Sequence, residues 1–198
     1  MIGLVAGLAR CGSSLTMAML QAGGLPVVGC PPVFEVAQFQ PQFTDETFLR
    51  RCDGRILKWL DPLNTYLPRT LEVGPVLWLD RDHVQQAASF KKLCALWGQD
   101  LSIQRGGGEL PEQLANATSS AVARLSAYGN FTRLSFETIL ADPLGSASLL
   151  ARHFRPLGVL DVRAAASVVK QRLPACQPEM EFSAAAALQS FRSFRLEM

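Results

Sequence analysis

Charged residues are scarce in this sequence, and no long run of lysines or arginines occurs in it. They make up 18% of the 198 residues, hydrophobic residues make up 48%, and the formal net charge is +2. A chain this apolar can bury a core that offsets the entropy lost on folding, which excludes a disordered protein. A net charge this small creates no field that would recruit nucleic acid. We therefore expect one globular domain over residues 1–198, a tight monomer or a homodimer, that has no nucleic-acid partner and binds any anion locally.

Long apolar runs and paired cysteines are also missing. The apolar N-terminal stretch, residues 1–9, is too short to span a membrane and lacks the basic segment of an export signal. The five cysteines are odd in number, and none of them stands in a Cys-x-x-Cys pair. This pattern favours neither a disulfide framework nor a zinc site. We expect a cytoplasmic protein with reduced thiols, no membrane span and no bound metal.

Short apolar runs alternate with helical patterns along most of the chain. Strands are predicted at residues 2–7, 55–60, 76–80 and 130–136, with 27–29 as a further short candidate. Helices are predicted at residues 13–21, 45–51, 82–97, 111–128, 143–154, 162–172 and 183–194, and irregular loops at 31–43 and 104–109. This alternation predicts an α/β fold in which helices cover a parallel sheet, with 156–198 as a helical C-terminal part of unclear role.

The first predicted strand runs into a glycine-containing loop that restarts as a helix. Such a junction directs backbone N–H groups and the positive end of the helix dipole at one point, where a phosphate fits. Gly7 and Gly12 have the spacing of a Walker P-loop, but Ser13 occupies the position of its lysine. Arg10 offers a planar guanidinium beside the same loop, suited to phosphate or sulfuryl oxygens. The candidate anion-binding residues are Arg10, Cys11, Gly12, Ser13 and Ser14.

The segment RCGSSL at residues 10–15 resembles the phosphosulfate-binding loop of sulfotransferases. In that loop a Lys or Arg, a small residue, a Gly and two Ser/Thr residues precede an apolar helix. A second motif of the family is a strand that ends in an arginine, followed by a helix with a serine eight residues after it. Arg81 and Ser89 stand at that spacing of eight. In a third, weaker likeness, over residues 133–143, Phe136 takes the place of an aromatic residue near the adenine.

The resemblance covers residues 3–154 and is to a small member of the bacterial or phage type. It implies a P-loop-like, three-layer α/β fold. It also implies that 3′-phosphoadenosine-5′-phosphosulfate (PAPS) is the sulfuryl donor, that no metal is needed, and that a small-molecule or carbohydrate acceptor offers a hydroxyl or an amine. Arg81 and Ser89 would hold the 3′-phosphate. The late basic, glycine-containing loop of many sulfotransferases has no counterpart in residues 182–198.

Three residues are candidates for the chemistry that the resemblance implies. Arg10 would stabilise the charge of the migrating group, and Lys58 resembles the lysine that cytosolic family members bring near it. Leu60 stands where those members place a histidine. Glu35, in the segment PPVFE, resembles the glutamate base of some bacterial members and could accept the acceptor's proton. The alternative bases are Asp61 and His83.

Other functions remain open at the level of sequence. Strand 76–80 could be a Walker B-type strand whose Asp80 holds magnesium in a kinase-like protein. A thiolate at Cys11 would fit a phosphatase, but Met17 stands where such an enzyme has its arginine. A non-catalytic nucleotide-binding descendant of the fold is a third possibility, because fold does not dictate function.

Overall fold

Helices alternate with strands through the part of the chain that the structure describes. This computed structural model describes residues 1–36, 39–40, 43–65, 67–96 and 109–170. The strands are β1 (Ile2–Gly7), β2 (Phe39–Gln40), β3 (Phe43–Thr44), β4 (Ile56–Leu60), β5 (Val73–Asp80) and β6 (Phe131–Ser135). The helices are α1 (Ser13–Ala22), α2 (Glu46–Arg51), α3 (His83–Leu96), α4 (Leu110–Leu125), α5 (Phe136–Ala141), α6 (Pro143–His153) and α7 (Val162–Ser167). Within these ranges no helix combines the length and apolarity needed to cross a membrane.

Four strands form one parallel sheet in the order β4–β1–β5–β6, and β2 and β3 pair as a separate antiparallel hairpin. In the register of the sheet, Gly7 lies opposite both Leu60 and Leu79, and Asp80 lies opposite Ser135. The strands therefore end close together, and the loops that leave them meet at one edge. Ligand sites in open α/β sheets form at this edge.

Apolar side chains cover both faces of the sheet. In β1, Val5 belongs to a cluster that includes residues of α1, α6 and α7. Leu4 and Ala6 point the other way, into a cluster with residues of α2 and α4. This alternation follows from the two-residue period of a strand. The predicted three-layer α/β architecture is confirmed.

Several predicted elements differ from the observed ones. Residues 27–29 do not form a strand, and Val27 makes only an isolated bridge to Ile56. Gly29, with a φ of +87°, turns the chain away from the sheet at that point. The segment 31–43, expected to be an irregular loop, contributes to the hairpin of β2 and β3.

The predicted last strand and the helix at 162–172 are also shorter in the structure. Phe136 begins α5 instead of ending β6, because the Ser135 hydroxyl accepts a hydrogen bond from the Thr138 N–H at 3.0 Å and caps the helix. Helix α7 ends at Ser167. The predicted helix at 183–194 and most of the loop at 104–109 lie outside the described residues.

His153, at the end of α6, makes the stability of the fold sensitive to acid. Burial lowers the pKa of this imidazole below its ordinary value of 6.5, and a backbone hydrogen bond with Val76 opposes the shift only in part. Its Nε2 meets no hydrogen-bond partner among the residues that the structure describes. The unfolded chain therefore takes up this proton at a higher pH than the folded chain, and the free energy of unfolding falls as the pH drops below about 6.5.

We expect His153→Gln to flatten this pH dependence, because an amide does not titrate. The measurement is urea unfolding at several pH values between about 7 and 5, where carboxylates contribute little to the slope. His83→Gln, which removes the other of the two histidines, is the matched control. A slope lost equally in both variants would contradict the assignment to His153.

Candidate functional site

The turn from β1 into α1 has a backbone conformation that few residues adopt. Gly12 is the N-cap of α1 with a φ of +96°, and a Cβ at this position would lie 2.5 Å from Cδ2 of Phe136. Arg10, two residues earlier, also has a positive φ, of 68°. Because glycine has no side chain, Gly12 does not cap the first-turn N–H groups of α1, which can then donate to an anion.

The two motifs singled out in the sequence meet beside this turn. Nε of Arg10 donates to Oγ of Ser89 at 2.9 Å across a separation of 79 residues. Nη1 of Arg81 donates to the carbonyl oxygen of Arg10 at 2.8 Å. Ser89 lies on α3 and is 2% exposed. The end of β5 and the middle of α3 thus bring an arginine and a hydroxyl against the loop after β1.

Phe136, expected near an adenine, packs behind the same turn. Its ring lies under the Arg81 guanidinium, with Cζ 4.6 Å from the ring centroid, and so close to Gly12 that a Cβ there would lie 2.5 Å from Cδ2 of the ring. The side chain is buried. A guanidinium on an aromatic face is stabilised by about 0.5–2 kcal/mol. Phe136 therefore stabilises the positions of the Arg81 guanidinium and of the turn at Gly12.

Lys58 on β4 forms the centre of a second cluster. Its ammonium donates to Oε1 of Glu35 at 2.8 Å, to Oγ of Ser14 at 3.0 Å and to the carbonyl oxygen of Val33 at 2.7 Å. The Lys58 side chain is 3% exposed and that of Glu35 is 30% exposed. All three ammonium donors are engaged, as a buried charge requires. The structure thus brings together three predicted site residues, Lys58, Glu35 and Ser14.

Irregular backbone surrounds this cluster. Phe34, next to Glu35, has a φ of 58°, and Asp61, just after β4, has a φ of 51°. Strained backbone of this kind concentrates at functional sites. Gly29 permits the approach of the Glu35 segment, since a Cβ there would lie 2.7 Å from the carbonyl oxygen of Phe34. The Asp61 N–H donates to the carbonyl oxygen of Gly7 at 3.1 Å and ties the loop after β4 to that after β1.

The two alternative bases have other partners. Nε2 of His83 lies 3.3 Å from Oγ1 of Thr118, so that the ring faces α4. Oδ2 of Asp61 accepts from the Asn64 amide at 2.8 Å. Cys11 is buried, and burial raises the pKa of its thiol, so the thiolate that a phosphatase reaction needs is disfavoured.

Asp80, the candidate magnesium ligand of a kinase-like protein, is occupied by protein donors. Arg133 binds it with a two-pronged contact, Nε to Oδ2 at 2.8 Å and Nη2 to Oδ1 at 2.9 Å. The Trp78 indole N–H also donates to Oδ1, at 2.8 Å. This arrangement does not favour a Walker-type magnesium site at Asp80. In the described part of the chain, no three His, Cys, Asp or Glu side chains are grouped so that they could hold a metal.

Sequence reasoning missed Gln86. Its Nε2 donates to the carbonyl oxygen of Ala9 at 2.8 Å, and the residue is 2% exposed. The available signal was its position on α3, three residues before Ser89, which places both side chains on one helix face. A glutamine on a buried face needs a polar partner.

Comparisons with known proteins bear on the fold. No protein-family model matches the chain, and no curated protein matches it. Mouse sulfotransferase SULT7A1, complexed with PAP, is 12% identical over 84% of this chain, with a TM-score of 0.53. Retinol dehydratase, in complex with androsterone and the inactive cofactor PAP, is 15% identical over 85% of this chain, with a TM-score of 0.50.

The chain spans 62% of the length of the mouse sulfotransferase and 63% of that of retinol dehydratase. At identities of 12% and 15% these likenesses concern the path of the backbone and not the chemistry. They agree with the parallel sheet and its flanking helices described above. The chain therefore has the α/β fold of the sulfotransferases.

Proposed function

We propose that this protein transfers a sulfuryl group from PAPS to a hydroxyl or amine of a small-molecule or carbohydrate acceptor. The observation that carries the proposal is the hydrogen-bonded network of Arg10, Arg81 and Ser89 at the N-terminus of α1. The last two resemble the 3′-phosphate pair of sulfotransferases in type and spacing. The similar structures of mouse sulfotransferase SULT7A1 and retinol dehydratase both contain PAP, which adds support.

The distribution of cations suits a donor that carries two anionic groups. Strand β1 lies between β4 and β5. On the β5 side, Arg10 and Arg81 lie next to Ser89. On the β4 side, the Lys58 ammonium contacts Ser14 in the first turn of α1. A ligand that crosses the α1 N-terminus would meet Arg10 and Arg81 at one end, Lys58 paired with Glu35 at the other, and the uncapped N–H groups between them.

The proposed roles follow from this placement. When bound, PAPS would supply the sulfuryl group, whose sulfur–oxygen bond to the 5′-phosphate breaks as a bond to the acceptor oxygen or nitrogen forms. Glu35 takes up the proton that the acceptor loses. Lys58, hydrogen-bonded to Glu35 at 2.8 Å, and Arg10 neutralise negative charge near the loop. Leu60 cannot move a proton, so Glu35 replaces the histidine of cytosolic sulfotransferases in this proposal.

We expect 3′-phosphoadenosine-5′-phosphate (PAP) to bind without magnesium, and Arg81→Ala and Ser89→Ala to weaken its binding. Loss of a charged hydrogen bond should cost the Arg81 variant roughly ten- to hundredfold in Kd, and loss of the hydroxyl should cost the Ser89 variant up to about tenfold. Isothermal titration calorimetry measures both values. Arg152→Ala, which removes an exposed arginine of α6, is the control. Magnesium-dependent binding of ATP in preference to PAP would contradict the proposal.

We expect Glu35→Gln to keep the PAP affinity of the wild type and to lose sulfuryl transfer. An amide can still accept a hydrogen bond from Lys58 but cannot take up a proton, and a general base contributes about 10²–10⁴ in rate. The measurement is PAP release from PAPS in the presence of simple phenols, alcohols, sugars and amines. Glu112→Gln on the exposed side of α4 is the matched control. Transfer at the wild-type rate in Glu35→Gln would exclude Glu35 as the base.

A further inference from the structure

Two successive carbonyl groups of the loop after β1 are held by side chains from the junction of β5 with α3 and from the first turns of α3. Nε2 of Gln86 donates to the Ala9 carbonyl oxygen at 2.8 Å. Nη1 of Arg81 donates to the Arg10 carbonyl oxygen, also at 2.8 Å. Gln86 is 2% exposed. Because the amide is shielded from solvent, little water competes with it for the Ala9 carbonyl oxygen.

These two contacts hold the peptide groups on either side of the Arg10 Cα. Arg10 has a φ of 68°, a conformation that is disfavoured for a residue with a Cβ. In a trans peptide, the N–H of Arg10 points opposite to the Ala9 carbonyl. A carbonyl fixed toward α3 therefore directs the N–H of Arg10 away from α3 and prevents the carbonyl oxygen from turning toward a bound anion.

We propose that Gln86 is a positioning residue that holds the Ala9–Arg10 peptide in the orientation that binds an anion. It touches neither donor nor acceptor and acts through the loop backbone. A loop fixed before binding loses less conformational entropy when the ligand arrives, which raises affinity without a new contact. The inference rests on the proposed function for the identity of the anion, PAP or PAPS, but the fixed peptide itself does not depend on it.

The test compares Gln86→Met, which keeps the length of the side chain and removes the donor, with Gln85→Met, the same change one residue earlier on α3. We expect Gln86→Met to weaken PAP binding about tenfold and to speed hydrogen exchange of the backbone amides in residues 8–12. Gln85→Met should change neither. Exchange measured by mass spectrometry without ligand reports on the loop even if PAP is not the natural anion.

A second variant separates positioning from packing. In Gln86→Glu, a protonated carboxyl group can donate to the Ala9 carbonyl, whereas a carboxylate cannot. We expect PAP binding by this variant, relative to wild type at the same pH, to recover as the pH falls, while Gln86→Met shows no such recovery. Thermal unfolding of each variant checks that the fold is intact.

The outcomes are distinguishable. Wild-type affinity and loop exchange in Gln86→Met would overturn the inference, as would a rise in exchange spread evenly over the whole sheet, which indicates general destabilisation. Failure of the wild type to bind PAP would instead overturn the proposed function. In that case, faster loop exchange confined to Gln86→Met would still support the positioning role.

Discussion

The turn at Gly12 is the constraint on which the rest of the site depends. A Cβ there would lie 2.5 Å from the Phe136 ring, so only glycine lets β1 continue into α1 at this distance from α5. The positive φ of 96° then directs the first turn of α1 toward the edge where the parallel strands end. Arg10 and Ser14 flank the turn, and they contact Ser89 and Lys58, respectively.

The site concentrates positive charge in a buried place and compensates it in two ways. Lys58 is paired with a carboxylate, Glu35, and fully hydrogen-bonded, which offsets the cost of removing an ammonium from water. The Arg10 Nε meets a hydroxyl group, which satisfies a donor without cancelling the charge. In the proposed function, the Arg10 side of the site binds the anionic donor, and Glu35, on the Lys58 side, takes up the proton. The proposed transfer chemistry requires both functions within reach of one sulfuryl group.

Asp80 stands where a Walker B strand has its magnesium-binding acid, but its surroundings do not favour a magnesium site. The strand β5 ends in an acid, as a Walker B strand does, but Arg133 and Trp78 donate to both of its oxygens. The contact of this carboxylate with Arg133 therefore holds β6 against β5. With Ser13 in the position of the P-loop lysine, one residue that a nucleotide kinase would use is replaced, and the other, Asp80, is held by protein donors. Arginines from the loop and from the end of β5 supply the positive charge instead.

Sequence alone determined the local features of this protein. The apolar runs of β1 and β5, the glycines after β1, and the spacing of Arg81 and Ser89 could be read directly, because strand period, turn conformation and helix start are set by neighbouring residues. The alternation of strands and helices predicts an α/β fold with a covered parallel sheet, and the resemblance to sulfotransferases implies its three-layer form. The α5 cap at Ser135 is equally local, yet the pattern of residues 130–136 predicts a strand that continues through Phe136.

Only the tertiary structure decided which of these residues meet. The contacts of Lys58 with Glu35 and of Gln86 with Ala9 join residues 23 and 77 positions apart. They depend on the strand order β4–β1–β5–β6, which periodicity does not specify. Gln86 is the clearest case: in sequence it is an ordinary helical glutamine, and it gains its role because the parallel register brings the start of α3 beside the Ala9 carbonyl.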